Sequence, residues 1–162
     1  MNLSLTLAKV EHAPAIAALL QANSAAEGGT LYGDWSQAAV TRWIESGSPI
    51  VVALEGERLK GVLFSAEKAG SSAPPVLKML EAWPGQADAY VYGPVCIDAS
   101  MRGQQLLARL VDELGRQTHG RQGILFINRS NVGSLKAHQR LHMPVVAQFT
   151  LGDQLFDVLT TA

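Results

Sequence analysis

Cysteine occurs once in the 162 residues, at Cys96. One thiol excludes an internal disulfide framework, and its apolar surroundings predict a packed thiol rather than a reactive one. Charge is sparse and balanced: 13 basic side chains against 14 acidic ones, a formal net charge of −1. With no run of Lys or Arg, neither nucleic acid nor a membrane surface is an expected partner. His12, His119, His138 and His142 lack zinc-ligand spacing, so no metal is expected. No apolar run is long enough to span a bilayer. The first residues, MNLSLTLAKVEH, lack the basic and apolar regions of a secretory leader. A cytoplasmic, soluble chain is the expectation. A Gly-x-Ser-x-Gly elbow, a Walker loop and a Gly-x-Gly-x-x-Gly fingerprint are all missing. Trp35, Trp43 and Trp83 are expected in a core or pocket wall rather than as a platform for bases.

Apolar residues make up 48% of the chain, enough to fill the core of one domain over residues 1–162. Leu3, Leu5 and Leu7 alternate with polar residues, as in a half-buried strand. A helix opens near Pro14, buries Ile16, Leu19 and Leu20, and ends near Asn23. Ser36 reads as the N-cap of a second helix carrying Ala39, Val40, Trp43 and Ile44. Two apolar runs, 50–54 and 59–65, flank a turn and predict a hairpin. Residues 68–75 read as a loop, and 76–83 have helical spacing. A strand over 123–128, a helix from Asn131 or Val132, and a hairpin over 145–159 complete the order.

The most informative stretch is 90–114, YVYGPVCIDASMRGQQLLARLVDEL. Its first eight residues predict a strand, interrupted by Gly93-Pro94, a pair that favours a bulge or a splayed strand. Leu106, Leu107, Leu110, Val111 and Leu114 fall on one helical face. Between them, Arg102, Gly103, Gln104 and Gln105 place backbone N–H groups at a helix start, where the peptide dipoles leave positive charge. Negative φ is expected through this first turn. The arrangement suits a phosphate, and equally a solvated turn capped by Ser100. A helix between the strands at 90–97 and 123–128 requires them to be parallel, while both hairpins are antiparallel.

The segment VCIDASMRGQQLLARLV resembles the acyl-coenzyme A motif of the GCN5-related N-acetyltransferases, the GNAT family. The segment NVGSLKAHQRLHM is similar to that family's later motif, matching it at Asn131, Ser134, His138, Leu141 and Met143. Both occur in the right order, and the element order of the whole chain also fits. The resemblance implies an α/β (α+β) fold, a mixed, mostly antiparallel sheet of six to seven strands flanked by helices. It implies transfer of an acetyl group from acetyl-CoA, or of another acyl group from its CoA ester, to a primary amine on a small molecule or a protein. It leaves a homodimer open.

On this resemblance, the main chain of Val95, Cys96 and Ile97 would pair with the pantetheine arm. The pyrophosphate would rest on the N–H groups of Arg102, Gly103, Gln104, Gln105, Leu106 and Leu107. Asn131, Ser134 and His138 would complete the cofactor side. His138 stands where many relatives carry a tyrosine that protonates the thiolate, and imidazole can carry a proton near neutrality. It equally suits packing beside Leu135 and Leu141, as Asn131 suits capping. Glu27, Tyr92, Tyr90 and Asp88 are candidate bases. Where the family has small residues, this chain has Gln105, Leu107 and His142. The first two favour a second reading, a GNAT-fold domain that senses a ligand or binds a partner without catalysis.

Overall fold

Polar turn residues punctuate the apolar runs of this chain, and the elements follow that punctuation. The computed structural model describes residues 3–23, 35–101 and 105–161. Its strands are β1 (Leu3–Leu7), β2 (Ile50–Glu55), β3 (Arg58–Glu67), β4 (Tyr90–Ile97), β5 (Gly123–Asn128), β6 (Val145–Leu151) and β7 (Gln154–Thr160). Its helices are α1 (Ala13–Ala22), α2 (Gln37–Glu45), α3 (Pro74–Ala82), α4 (Leu106–Gln117) and α5 (Val132–Gln139). The sheet is seven-stranded, in the order β1-β2-β3-β4-β5-β7-β6, and the recorded strand pairs are antiparallel except β4 with β5. The expected α/β class, mixed sheet and flanking helices are all present.

The chain forms two compact units, and β4 contributes to both. The first comprises Met1–Ser65 and Pro94–His119. Its core sets Ile16 and Leu20 of α1 and Val40 of α2 against Ile50, Val52, Val62, Phe64 and Cys96. Ser36 caps α2 by accepting the Ala39 N–H at 3.1 Å. Trp43 packs on Phe64, ring centroids 4.6 Å apart, and its Nε1–H donates to the Ser65 carbonyl at 2.8 Å. Buried Leu106, Leu110 and Leu114 form the inner stripe of α4. A Cβ at Gly61 on β3 would lie 3.2 Å from Leu106 Cδ2 and 3.3 Å from Leu110 Cδ1. An isolated strand glycine here marks a close approach.

The second unit comprises Ala66–Gly93 and Gly120–Ala162. Val76 and Met79 of α3 pack against Val91, Ile124, Phe149, Phe156 and Val158. The recorded β4–β5 register is short, Tyr90↔Gly123 and Val91↔Ile124. Gly93, just beyond it, has φ 106°, so the irregularity expected at Gly93-Pro94 is present as a backbone conformation that glycine reaches readily.

Three sequence expectations need correction. Residues 68–75 are not all loop: Lys68–Gly70 form a short 3-10 turn, and α3 starts at Pro74 because proline is tolerated in a first turn. Leu7 is 40% exposed, since β1 lies at the sheet's edge and its alternation is only partly covered. Gln105 does not have negative φ; it is left-handed at φ 61°, ψ 23°, and α4 begins after it.

The Tyr90–Gly123 pair yields a stability test. A Cβ at Gly123 would lie 2.8 Å from both Tyr90 Cζ and Tyr90 Oη, so the ring must move. Gly123→Ala is expected to destabilise the protein by about 1–3 kcal/mol, as overpacking does. Gly133 on α5 has nothing within 4 Å of a built Cβ, so Gly133→Ala should be neutral or stabilising by up to about 1 kcal/mol. Urea midpoints of the two variants check both; equal shifts would contradict the packing.

Candidate functional site

The candidate residues fall in two clusters, one in each unit. In the first, Val95 and Ile97 at the end of β4 are half-buried, while Cys96 is buried with its Sγ 3.7 Å from the Leu19 carbonyl oxygen. The packed thiol is as expected. The Asp98 N–H then donates to the Lys60 carbonyl at 2.8 Å. Asp98 Oδ2 accepts the Ser100 N–H at 3.1 Å and also bonds the Ser100 hydroxyl. Lys60 Nζ is 3.3 Å from Ser100 Oγ and 3.9 Å from Asp98 Oδ2. Asp98 and Ser100 thus build the short 3-10 turn Ala99–Met101, whose last residue, Met101, is buried.

Arg102, Gly103 and Gln104 lie outside the described residues, as does Glu27. The description resumes at Gln105, the exposed N-cap of α4, whose side chain makes no capping bond. The amides that open α4 therefore receive no side-chain cap from Gln105, while the helix dipole points positive charge outward. Leu106 is buried and Leu107 half-buried, so neither side chain extends the polar surface there.

The second cluster joins β4 to α5. Asn131 caps α5, its Oδ1 accepting the Ser134 N–H at 3.2 Å. One helical turn on, His138 is 2% exposed and Tyr92 is 5% exposed. Tyr92 Oη and His138 Nε2 are 2.9 Å apart, with the rings edge to face. His138 Nδ1 lies 2.8 Å from the Ser134 carbonyl oxygen. A carbonyl can only accept, which assigns the proton to Nδ1 and makes Nε2 the acceptor of the Tyr92 hydroxyl. Burial pushes the His138 imidazolium below the ordinary histidine range, partly offset by the Ser134 carbonyl. Burial also raises the Tyr92 phenol, with Tyr90 adding to the shift. Both groups are therefore neutral at pH 7.

Sequence reading brought Tyr92 and His138 forward separately; the structure joins them. Tyr90 is buried on the same strand, but its ring lies against Gly123, with the Arg121 guanidinium 5.8 Å from its centroid. Asp88 is exposed, and its carbonyl accepts from Arg121 Nε at 2.7 Å. Gly61, which admits α4 to the sheet, was missed; its signal was a lone glycine in an apolar strand. Among the described residues, no group of three or more His, Cys, Asp or Glu side chains could hold a metal ion, and no helix is long and apolar enough to cross a membrane.

No protein-family model matches the chain, and no curated protein matches its sequence. Solved structures do match. An N-acetyltransferase from Staphylococcus aureus Mu50 superposes with a TM-score of 0.72 at 21% identity, over 99% of this chain and 98% of the other. The GNAT-family acetyltransferase of Bacillus cereus ATCC 10987 gives 0.73 at 12% identity, over 99% and 97%. The chain has the GNAT acetyltransferase fold. Within that fold it is also similar to yncA of Salmonella typhimurium, a protein solved with its cofactor acetyl-CoA: TM-score 0.70, 18% identity, 99% and 93% coverage.

The GNAT-fold resemblance sets glycine at two positions where this chain has Gln105 and His142. Both are left-handed, at φ 61° and φ 64°. A side chain in that region costs roughly 1–2 kcal/mol. Gln105→Gly and His142→Gly are each expected to stabilise the protein by about 0.5–1 kcal/mol, the entropy of the freer unfolded chain offsetting part of the relief. Thermal midpoints that fall in both variants would contradict the backbone geometry.

His138 also makes stability depend on pH. Its folded value is lowered, so above the unfolded value of about 6.5 both states are neutral. Below that value the unfolded chain takes up the proton first, and stability falls until the folded value is passed. Between pH 7.5 and pH 5.5 the wild type should lose more stability than His138→Phe does. Parallel losses, read as denaturant midpoints, would remove His138 as the cause.

Proposed function

We propose that residues 1–162 act as one acyl-CoA-dependent N-acetyltransferase domain, moving an acetyl group from acetyl-CoA to a primary amine by direct attack. The observation that carries this reading is the fold match over nearly the whole chain to acetyltransferases, one of them solved with acetyl-CoA. The α4 entrance supports it, with a helix N-terminus that Gln105 does not cap. On this reading the main chain of Val95, Cys96 and Ile97 holds the pantetheine arm. The amides from Arg102 through Gly103, Gln104, Gln105, Leu106 and Leu107 hold the pyrophosphate, with Arg102 adding charge. Asn131 already bonds the Ser134 amide and Ser134 already bonds His138, so their role is to fix α5 and its histidine. Glu27 is kept as a candidate base toward the amine.

The thioester supplies an activated carbonyl, and the protein need only orient the amine, accept its proton and stabilise the departing sulfur. Neither a nucleophilic side chain nor a metal is required for that sequence. The acceptor is a small-molecule or protein amine. The sensor reading retains Gln105 and Leu107 as its support and predicts binding without turnover.

Calorimetric titration with acetyl-CoA, followed by a panel of free amino acids, polyamines and peptides with free N-termini, separates the two readings. Binding with turnover is expected; binding without turnover on the whole panel would favour the sensor, and no binding at millimolar acetyl-CoA would overturn both. Arg102→Ala should weaken CoA binding by roughly 10- to 100-fold, the range of one charge-assisted hydrogen bond, without lowering the thermal midpoint. Unchanged affinity would remove Arg102 from the cradle.

A further inference from the structure

The Tyr92–His138 pair has a direction built into it. Ser134 lies one helical turn before His138, and its carbonyl holds the Nδ1 proton at 2.8 Å. Nε2 then has a lone pair, and the Tyr92 hydroxyl spends its only proton on it at 2.9 Å. In this state the Tyr92 oxygen has no proton to give outward and keeps lone pairs to receive one. If a proton arrives at that oxygen, the Tyr92 proton can pass along the existing bond to Nε2. The imidazolium formed has both N–H groups already satisfied, by the Ser134 carbonyl and the Tyr92 oxygen. Tyr92 then carries an outward O–H and has become a donor.

We propose that Tyr92 and His138 work as a single proton shuttle, taking the amine's proton during attack and returning the same charge to the departing sulfur. The inference rests on the acyl-transfer reading and deepens it. As a neutral amine adds to the thioester carbonyl, the new C–N bond forms and nitrogen becomes cationic. The Tyr92 oxygen takes the nitrogen-bound proton while its own proton moves to His138 Nε2. The C–S bond then breaks with its electron pair on sulfur. Tyr92 protonates the sulfur as His138 Nε2 returns its proton to the Tyr92 oxygen. Amide and thiol are the products, the pair is restored, and no proton or electron is gained or lost.

Several observations make the shuttle suitable. It is neutral at rest, as the burial of both rings requires. Among the described residues, no carboxylate or cation acts on either ring; Tyr90 on β4 is the ionisable neighbour that Tyr92 feels, and α5 brings to His138 Nδ1 the Ser134 carbonyl at 2.8 Å and, more distantly, the Ser134 hydroxyl at 3.4 Å, neither of them charged. Tyr92 lies one residue past the end of the recorded β4–β5 register and three before Val95, the start of the segment assigned to the pantetheine arm. The shuttle makes a separate carboxylate base unnecessary, so on this inference Glu27 is not needed as the base.

The test has one arm that does not depend on activity. Nitrogen-15 NMR of the wild type at pH 7.5 should show His138 with a protonated Nδ1 and an unprotonated Nε2. A proton on Nε2 in the resting protein would overturn the direction of the shuttle. The kinetic arm uses acetyl-CoA and the fastest amine of the panel. Tyr92→Phe and His138→Phe should each lower kcat by roughly 100-fold or more, the scale of proton-transfer catalysis, with KM for acetyl-CoA within three-fold. The double variant should be no slower than the slower single one, because either change breaks the same relay. Turnover within two-fold of wild type in Tyr92→Phe, or multiplicative losses in the double variant, would overturn the shuttle alone. A wild type that acetylates no amine would overturn the acyl-transfer reading and the shuttle with it.

Discussion

The parallel pair of β4 and β5 organises the region of interest. β4 and β5 run side by side in one direction, whereas the other recorded neighbours are antiparallel. Antiparallel strands close with a tight turn, but parallel ones need a crossover, here the stretch that contains α4. That requirement places a helix N-terminus soon after the end of β4. The start of the pair is firmly held. The Tyr90 N–H donates to the Gln122 carbonyl at 2.9 Å, and the Tyr90 ring occupies the space that the missing Gly123 side chain leaves. Arg121 adds a bidentate pair to Glu67, with distances of 3.0 and 2.9 Å. This surface ion pair contributes little energy but fixes the orientation of the guanidinium beside Tyr90. Once Tyr90 is pinned, strand alternation sets Tyr92 on the same face, where it meets α5.

The elements were legible in the sequence because each has local punctuation. Ser36 caps α2, Glu55 to Arg58 turns the first hairpin, and Gly152-Asp153 turns the last. The crossover logic gave the parallel β4–β5 pair from the sequence alone. The Tyr92–His138 bond was not legible: its partners are 46 positions apart, and no periodicity links a strand residue to a helix residue at that distance. Each residue was a candidate by type, but the chemistry belongs to the bond. The conformations of Gln105 and His142 were hidden for another reason. Left-handed backbone is read from glycine, and here it occurs without glycine.

Polar pairs buried at this depth usually cost stability relative to apolar side chains of the same shape. The Tyr92–His138–Ser134 chain limits that cost because the Tyr92 hydroxyl and the His138 Nδ1–H each have an acceptor and no charge is present at rest. Neutrality is what makes the arrangement tolerable, and it is also what lets the pair receive a proton. An ion pair in the same place would already have its proton committed. The Ser134 carbonyl matters as much as either ring, because it selects the tautomer. A backbone group is well suited to this, since it neither titrates nor rotates away while α5 is intact.

Glycine at a motif position serves two separate needs, a left-handed backbone and the absence of a Cβ. At Gln105 and His142 this chain meets the first need and not the second. The departure from the family pattern is therefore one of side chain rather than of backbone shape at these two points. His142 is exposed just past the end of α5. Gln105 immediately precedes α4, where a phosphate would need to come close to the main chain. Its exposed side chain adds an amide, a neutral donor and acceptor, beside the amides of the first turn. Strain kept at a position of that kind is consistent with a functional constraint rather than with folding, since glycine would relieve it at no cost in packing. The relaxed Gln105→Gly protein thus separates two contributions that the sequence alone confounds: the shape of the cradle and the identity of the side chain that lines it.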